Sequence, residues 1–400
     1  ANQIKLVGSF KEMDLRNLNK FKINSNSLSG NPFFIDNLNI GQTKLPSTVV
    51  IDTNINMEPS PDGPIFTLKN KDFSGSVLLR NNQEIDLKLD FLKLNTNQTQ
   101  EDAFFVSIFN TVNNPILFSV ESLLMGPKSY GNWSFKILPS KDSLSLVDIQ
   151  GRYGRWEVTK DNDSQESKLL ITKNSFGWDS SLKTRIYSGS PEKAFKQIGL
   201  DLNSLIGEIE FYPDIRWQGL PWDFKFNKIV GEVGLRIEDI TIKNKDANIE
   251  APNNLLRLIS IFNVTDTFEK VTSLDFRKLF RSGFSADTVE GNFYVDSKSL
   301  KTINPILFKS GSSEFRWNGA VIKDKKGKFN ILDLEVVMTL PLREYLPAYA
   351  LILGGPLTAG VVYIAGKAFK RNLDKLSSGK WTISGSLEEP KTNFEGWFEE

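Results

Sequence analysis

The chain contains no cysteine and no histidine among its 400 residues. The lack of cysteine excludes disulfide bonds, thiolate nucleophiles and cysteine-ligated metals. The lack of histidine removes the most common general base, the Ser-His and Cys-His catalytic arrangements and nearly all zinc-site designs. Enzymatic chemistry is therefore limited to carboxylates, lysine or tyrosine, and we expect neither a metal site nor a cofactor.

An excess of charge of one sign is also lacking, because 49 Lys and Arg face 48 Asp and Glu. A protein that binds nucleic acid usually carries a basic excess over a whole domain, so we expect no nucleic-acid partner. Phe, in contrast, is abundant, with 29 residues compared with 8 Tyr and 8 Trp. Because Phe has no polar group, this composition indicates surfaces that are apolar and dry.

Apolar and polar residues alternate along most of the chain, which is typical of half-buried strands. Turn signals such as SPDGP (60–64) and KDKKGK (323–328) separate the strands. We therefore predict a mainly β fold, with an elongated, strongly curved antiparallel sheet. Its apolar face needs a cover, for which closure of the sheet on itself, a second sheet and a bound apolar ligand are the alternatives. The clearest alternating stretches are 49–57, 73–79, 85–91, 133–137, 229–237, 289–295, 315–321 and 381–387.

A glycine recurs within the apolar positions of these strands, for example at Gly75, Gly231 and Gly319. Two explanations fit this pattern. Glycine relieves crowding where a curved sheet bends, or it leaves room for a guest on the concave face. We favour curvature, and the two explanations are compatible.

Few segments have a helical pattern. Ser190 and Pro191 are suited to the N-cap and the first turn of a helix that places Ala194, Phe195 and Ile198 on one face. Two further short helices are predicted over 253–262 and 273–282. We expect each helix to pack over an end of the sheet.

Residues 345–366 contain no charged side chain and are long enough to cross a bilayer as one helix. However, Gly354, Gly355 and Pro356 interrupt this run, and proline inside a helix costs about 3 kcal/mol or more. We therefore predict two short helices, about 343–353 and 357–371, that form an apolar hairpin. On these residues alone, the hairpin packs into a core.

The segment RWQGLPWDFKFNKIVGEVGLRIEDITI (216–242) resembles the C-terminal region of AsmA-like proteins, specifically the YhdP-type branch. The motif consists of Arg-Trp, Pro-Trp, a short strand and a strand with glycine. The order of the segments that follow is also similar to the family, and includes SLDFRKLFRSGFSADTVEGNFYV (273–295) and LDKLSSGKWTISGSLEEP (373–390). The resemblance extends over about 35–395 and is most specific over 205–390.

This resemblance implies a bridge-like lipid transport protein of the Gram-negative periplasm, with a taco-like apolar groove that conducts phospholipid between the inner and outer membranes. It also implies an inner-membrane anchor, which we expect in an N-terminal part that this sequence lacks. The C-terminal hairpin then becomes a contact with a membrane, most readily the outer membrane. The predicted membrane-contact residues are Leu346, Leu351, Leu353, Leu357, Val361, Ile364, Lys367, Phe369, Lys370 and Arg371.

We predict four parts of the chain: a repetitive β-groove (1–204), a C-terminal β-groove block (205–342), the apolar helical hairpin (343–376), and a final strand with a tail (377–400). The apolar positions of the second part are the predicted lipid-binding residues. They are Ile229, Val233, Leu235, Val289, Phe293, Phe315, Trp317 and Val321.

Two other functions stay open. The first is a non-catalytic scaffold for envelope assembly, whose apolar face is closed in a β-sandwich core. The second is a carboxylate enzyme such as a glycosidase, which needs two carboxylates about 5–10 Å apart across a polar cleft. The acidic pairs Glu388 with Glu389 and Glu399 with Glu400 lie in polar turns or tails. We therefore predict that the protein is not an enzyme.

Overall fold

A computed structural model describes residues 4–14, 33–44, 49–94, 113–160, 166–198, 205–242, 284–310, 313–339, 378–387 and 390–398. These residues form 22 strands and one α-helix. The prediction of a mainly β, antiparallel fold is confirmed. The chain divides into two compact units, Ala1–Arg185 with Arg216–Phe224, and Ile186–Ile215 with Lys225–Glu400.

In the first unit, most strands pair with the strand that follows them in the chain. The strands are β1 (Ile4–Asp14), β2 (Phe33–Lys44), β3 (Val49–Glu58), β4 (Ile65–Lys69), β5 (Phe73–Leu79), β6 (Ile85–Leu94), β7 (Ile116–Met125), β8 (Lys128–Ser129), β9 (Asn132–Pro139), β10 (Ser143–Tyr153), β11 (Trp156–Thr159), β12 (Lys168–Asn174) and β13 (Gly177–Lys183).

Two pairs in this unit are parallel, which the alternation did not predict. Strand β1 runs parallel to β2, and β6 runs parallel to β7. Parallel neighbours need a long crossover connection, which carries the chain from the end of one strand back to the end of the sheet where that strand began. In sequence, 18 residues separate β1 from β2 and 21 separate β6 from β7.

The second unit contains the remaining strands, which also pair antiparallel with their neighbours. They are β14 (Arg185–Ser188), β15 (Leu205–Gln218), β16 (Val230–Ile242), β17 (Phe284–Val295), β18 (Ser299–Ser310), β19 (Ser313–Lys323), β20 (Phe329–Thr339), β21 (Ser378–Ser386) and β22 (Pro390–Phe398). The first residue of β14 and the last three of β15 are counted with the first unit.

Irregular positions inside the strands bend both units. The register shifts between Val147 and Gln150 in β10, and between Lys301 and Ile306 in β18. Asp148 and Asp239 have positive φ angles of 56° and 51° although both lie inside strands. Such bulges bend a strand and increase its twist, which accounts for the curvature expected from the sequence.

The helix α1 spans Pro191–Gln197, close to its predicted position, with Ser190 as N-cap and proline in the first turn. Ala194 and Phe195 are buried, and the Phe195 ring meets the Phe211 ring edge-on at 6.5 Å. Ile198 was expected on the same face but is 49% exposed, because the helix ends at Gln197. The helices predicted over 253–262 and 273–282 lie outside the described residues.

The Arg-Trp and Pro-Trp motif forms a corner after β15. The Trp217 indole Nε1 donates to the Leu220 carbonyl oxygen at 3.0 Å, and its ring meets Phe224 edge-on at 5.4 Å. The Leu220 amide in turn donates to Asp223 Oδ2 at 2.9 Å. These contacts fix a short 3₁₀ turn over Pro221–Asp223, so the motif has a structural role in turning the chain.

Candidate functional site

Apolar side chains of the first unit line up in rows that cross neighbouring strands. One row, which we call the Phe118 row, joins facing residues of six strands: Met57, Phe66, Val77, Leu87, Phe118 and Phe135. A second, the Ile116 row, joins Leu79, Ile85, Ile116, Ile137, Leu146, Leu169 and Leu182. Facing side chains are in contact distance, and the rings of Phe118 and Phe135 stack with centroids 4.7 Å apart.

Most of these side chains are only half-buried. In the Phe118 row only Met57 is buried, at 5% exposure, and no member of the Ile116 row is buried. A continuous apolar face that keeps part of its surface in solvent is unusual, because isolated exposed apolar residues are common but extended patches mark binding sites. The Phe118 row is therefore a candidate binding surface. In the Ile116 row, Ile137, Leu146 and Leu169 pack against a buried cluster of Leu144, Ile171 and Leu220.

The opposite face of the same strands carries charged pairs, with a few apolar residues such as Leu117 between Asp86 and Lys136. Lys136 Nζ lies 2.8 Å from Glu84 Oε1, and Arg80 Nη2 lies 3.1 Å from Asp86 Oδ2. The hydrogen bond from Lys136, together with its charge and that of Arg80, lowers the pKa of Glu84 below its ordinary value. Alternate residues of one strand thus face an apolar and a charged environment, which separates the two faces chemically.

A concavity of about 830 Å³ lies between β7, β9, β10 and β11, and both polar residues and the apolar Val120, Trp133 and Val158 line it. Arg152 at its wall is paired with Glu157. Among the residues that the structure describes, no group of three or more acidic side chains is placed to hold a metal ion. The acidic pairs considered for an enzyme, Glu388 with Glu389 and Glu399 with Glu400, lie outside the described part of the chain. The polar side chains that line the concavity include Ser119, Glu121, Asn132, Ser134, Gln150 and Arg152.

The predicted lipid-binding residues of the second unit lie on β16, β17 and β19, with Ile229 directly before β16. Val233 faces Phe293, and Phe315 lies between Phe308 and Met338. A row of facing residues, the Trp317 row, crosses six strands and contains Leu235, Gly291, Ile306, Trp317, Val336 and Trp381. Another row of the second unit contains Val295, Leu300, Val321 and Leu332.

The second unit differs from the first in how deeply these side chains are buried. Val233, Leu235 and Phe293 are half-buried, but the other five predicted residues are between 2% and 5% exposed. A lipid reaches those five only if the groups that cover them move. Their role in lipid binding stays a prediction. The buried five are Ile229, Val289, Phe315, Trp317 and Val321.

The half-buried Phe118 row lies in the first unit and was not among the predicted site residues. Leu89 and Val120, the next residues on the same face after Leu87 and Phe118, are buried at 8% and 3% exposure. The alternation of these strands was visible in the sequence, for example over 85–91 and 133–137. Alternation identifies the side of a strand on which a residue lies, but it carries no information on whether that side is covered. The signal for the rows was therefore present, and the signal for their exposure was not.

The recurrent glycines are explained by close backbone approach. A Cβ atom on Gly231 or Gly319 would lie closer than 3.0 Å to a carbonyl oxygen of the neighbouring strand, that of Asp214 or Asp333. Both glycines have positive φ angles, 144° and 135°. These positions need glycine for the bend of the sheet, which supports the curvature explanation.

The predicted membrane-contact residues, from Leu346 to Arg371, lie outside the described residues. Within the ranges that the structure describes, no helix combines the length and apolar character needed to span a bilayer. The apolar hairpin over 343–376 and its contact with a membrane therefore stay predictions.

The chain is similar to a protein of Escherichia coli (strain K12) named intermembrane phospholipid transporter YhdP, with 20% identity over 346 residues. The aligned part covers 84% of this chain and 26% of the relative, so the chain spans about a quarter of the relative's length. No solved structure matches the chain. The sequence profile of the YhdP protein family matches residues 1–392. The chain therefore belongs to the YhdP family.

Proposed function

We propose that the chain binds the acyl chains of phospholipids on the apolar face of its sheet, as part of a longer protein that conducts phospholipid between the inner and outer membranes. The observation that carries this proposal is the half-buried Phe118 row, an apolar surface continuous over six strands. Membership of the YhdP family and similarity to a protein named intermembrane phospholipid transporter support it. The proposed place is the periplasm, with the inner-membrane anchor in another part of the longer protein.

The dimensions of the row suit an acyl chain. Neighbouring strands lie about 4.8 Å apart, so five spacings from Met57 to Phe135 span about 24 Å. One leaflet of a bilayer has a hydrocarbon thickness of about 15 Å, half of the usual 30 Å, so the row is longer than one acyl chain. Burial of each methylene contributes about 0.8 kcal/mol, which favours the row over water. Because similar apolar groups repeat along the row, a lipid can move without meeting one deep trap.

The role is proposed to be non-enzymatic, with phospholipid and a membrane surface as the partners. The groove residues predicted in the second unit and the hairpin over 343–376 remain part of the proposal. Within it, the first unit provides the open acyl-chain surface. The four-part division of the chain predicted from the sequence is retained as a proposal.

A photo-crosslinking experiment tests acyl-chain binding, and one pair of strands provides the matched control. Phe118 faces Phe135 on the apolar face, whereas the next residues along, Ser119 and Ser134, face each other on the polar face. A photoreactive phenylalanine analogue is placed at each position in the protein expressed in a Gram-negative host, and the adducts are identified by mass spectrometry. We expect phospholipid adducts at 118 and 135 and none at 119 and 134. Equal labelling of both faces, or no adduct at any position, would contradict the proposal.

A scaffold for envelope assembly is the second candidate, and one observation favours it. Most of the Trp317 row is closed, as in a dry core: Trp317 is 3% exposed, Val336 0% and Trp381 2%. Native mass spectrometry of the purified chain separates the two candidates. At least one phospholipid per chain indicates an open surface, and a lipid-free, stable chain indicates a closed core and a scaffold.

A further inference from the structure

Three turns that are distant in sequence meet at one end of the strands of the second unit. Lys323 Nζ donates to the carbonyl oxygen of Asn227 at 2.8 Å and to that of Ser297 at 3.0 Å. The same ammonium group lies 4.7 Å from the centroid of the Phe329 ring. Lys323 therefore joins the turns over 225–228, 296–298 and 324–328.

These turns carry exposed lysines, which we call the lysine rim and which are Lys225, Lys228, Lys298, Lys325, Lys326 and Lys328. The same described turns contain two carboxylates, Asp296 and Asp324. Six positive charges less two negative charges leave an excess of four, without Lys323, in a chain whose net charge is +1. In sequence, Asp223 lies two residues before Lys225 and accepts a hydrogen bond from the Leu220 amide, and Glu388 and Glu389 lie outside the described residues.

The two carboxylates are engaged by the turns themselves. Asp296 Oδ1 accepts from the backbone amides of Lys298 and Ser299, both at 2.7 Å. Asp324 Oδ1 accepts from the amides of Lys326 at 2.8 Å and Lys328 at 3.0 Å. Each aspartate closes a tight turn through these backbone hydrogen bonds. The bonds explain the positions of the two carboxylates without an ion pair to a lysine of the rim.

An apolar ring stands among the lysines. Phe226 is 40% exposed, although its ring meets the buried Phe329 at 5.8 Å between centroids. A charged turn is ordinarily a solvated turn and needs no partner. Cations gathered from three turns around a partly exposed aromatic ring, however, have the composition of surfaces that lie at the interface of a bilayer.

We propose that the lysine rim binds the anionic surface of a phospholipid bilayer, with its ammonium groups at the lipid phosphates and Phe226 at the level of the headgroups. This surface is distinct from the membrane contact predicted over 343–376. Strand β20 runs over eleven residues from Phe329 at the rim to Thr339, so its two ends lie about 33 Å apart. The predicted hairpin follows Thr339 in sequence, at the end of β20 that is away from the rim. The inference goes beyond the proposed lipid conduction, because apolar rows that hold acyl chains do not distinguish a charged headgroup from a neutral one.

Binding to vesicles tests the rim. Sedimentation with phosphatidylcholine vesicles is compared with sedimentation with vesicles that also contain phosphatidylglycerol. The wild type is compared with Lys325→Gln/Lys326→Gln/Lys328→Gln and with a control, Lys141→Gln/Lys193→Gln/Lys196→Gln, which removes the same charge from exposed lysines elsewhere. We expect the wild type and the control to prefer the anionic vesicles. The rim variant should bind them on the order of 100-fold more weakly, because each lysine near such a surface contributes separately.

Two further measurements sharpen the test. Raising the ionic strength from about 0.1 M to about 1 M shortens the Debye length from about 10 Å to about 3 Å, and should remove the preference for anionic vesicles. The variant Phe226→Ser should bind both kinds of vesicle a few-fold more weakly and keep the preference. Equal binding of the rim variant and the control would overturn the proposal. So would a wild type that prefers a single-stranded oligonucleotide to anionic vesicles. A chain that extracts lipid but shows no preference for charge retains its acyl-chain function and lacks the rim contact.

Discussion

A charge placed within the Phe118 row should reduce lipid binding, whereas the same charge one residue later should not. Phe118 lies between Leu87 and Phe135 in the row, and Ser119 lies between Lys88 and Ser134 on the polar face. The substitutions Phe118→Asp and Ser119→Asp therefore introduce the same carboxylate on the same strand with opposite orientation.

The magnitude follows from the spacing of the strands. About four methylene groups cover one spacing of about 4.8 Å. Complete transfer of four methylenes from water contributes about 3 kcal/mol, and a half-open face contributes about half of that. Loss of the contact at Phe118 should therefore lower the affinity for a phospholipid about tenfold.

The assay is the number of phospholipids that remain bound to the purified chain, measured by native mass spectrometry, together with the affinity for a fluorescent phospholipid. Phe118→Ser, which carries no charge, is the second variant if Phe118→Asp does not fold. We expect both changes at 118 to lower binding and Ser119→Asp to leave it unchanged. Unchanged lipid occupancy in a folded variant at 118 would refute the argument that this row holds acyl chains.

Three further predictions concern the stability of the second unit. Trp317→Ala should lower the free energy of unfolding, measured by denaturant titration, by about 3–5 kcal/mol, because Trp317 is 3% exposed. The control Ile322→Ala, at a residue that is 36% exposed, should lower it much less. Equal losses of stability would contradict a closed core around Trp317. Gly319→Ala should lower the melting temperature more than Gly8→Ala. A Cβ on Gly319 would meet the backbone of β20, whereas one on Gly8 meets no atom within 4 Å. The reverse order would contradict the close approach of the β19 and β20 backbones at Gly319. Hydrogen bonds from the backbone amides of Lys298 and Ser299 lower the pKa of Asp296 in the folded protein. The ionised Asp296 therefore stabilises the fold above the pKa of an unfolded aspartate, about 3.9, and this stabilisation is lost as the pH falls through the lower pKa of the folded state. The difference in melting temperature between the wild type and Asp296→Asn should therefore shrink below about pH 4, and a difference independent of pH would argue against it.

The sequence predicted local structure well where one residue or one period decides it. Ser190 and Pro191 placed the start of α1 correctly, because proline suits the first turn of a helix. Proline has no backbone N–H group, and a backbone N–H in the first turn has no hydrogen-bond partner within the helix. The strands were recognised because successive side chains of a strand point to opposite faces. The parallel pairing of β6 with β7 was not predicted, because pairing depends on where a long connection returns.

The candidate sites show the same division. The sequence placed Phe315, Trp317 and Val321 on one face of a strand, and in the structure they face Phe308, Ile306 and Leu300 of β18. Nothing in the sequence indicated that these three predicted side chains are buried while those of Phe118 and Leu87 are half-buried. Burial depends on groups from other parts of the chain, which the period of a strand does not encode.

By itself, the sequence determined the β character of the chain, the two chemical faces of its strands and the absence of cysteine and histidine chemistry. These properties follow from residue types and from the period of a strand. The tertiary structure alone decided which apolar rows stay open and that Lys323 joins turns 96 positions apart into one cationic surface. The reason is that both depend on contacts between residues distant in sequence, which form only when the register and curvature of the sheet are fixed.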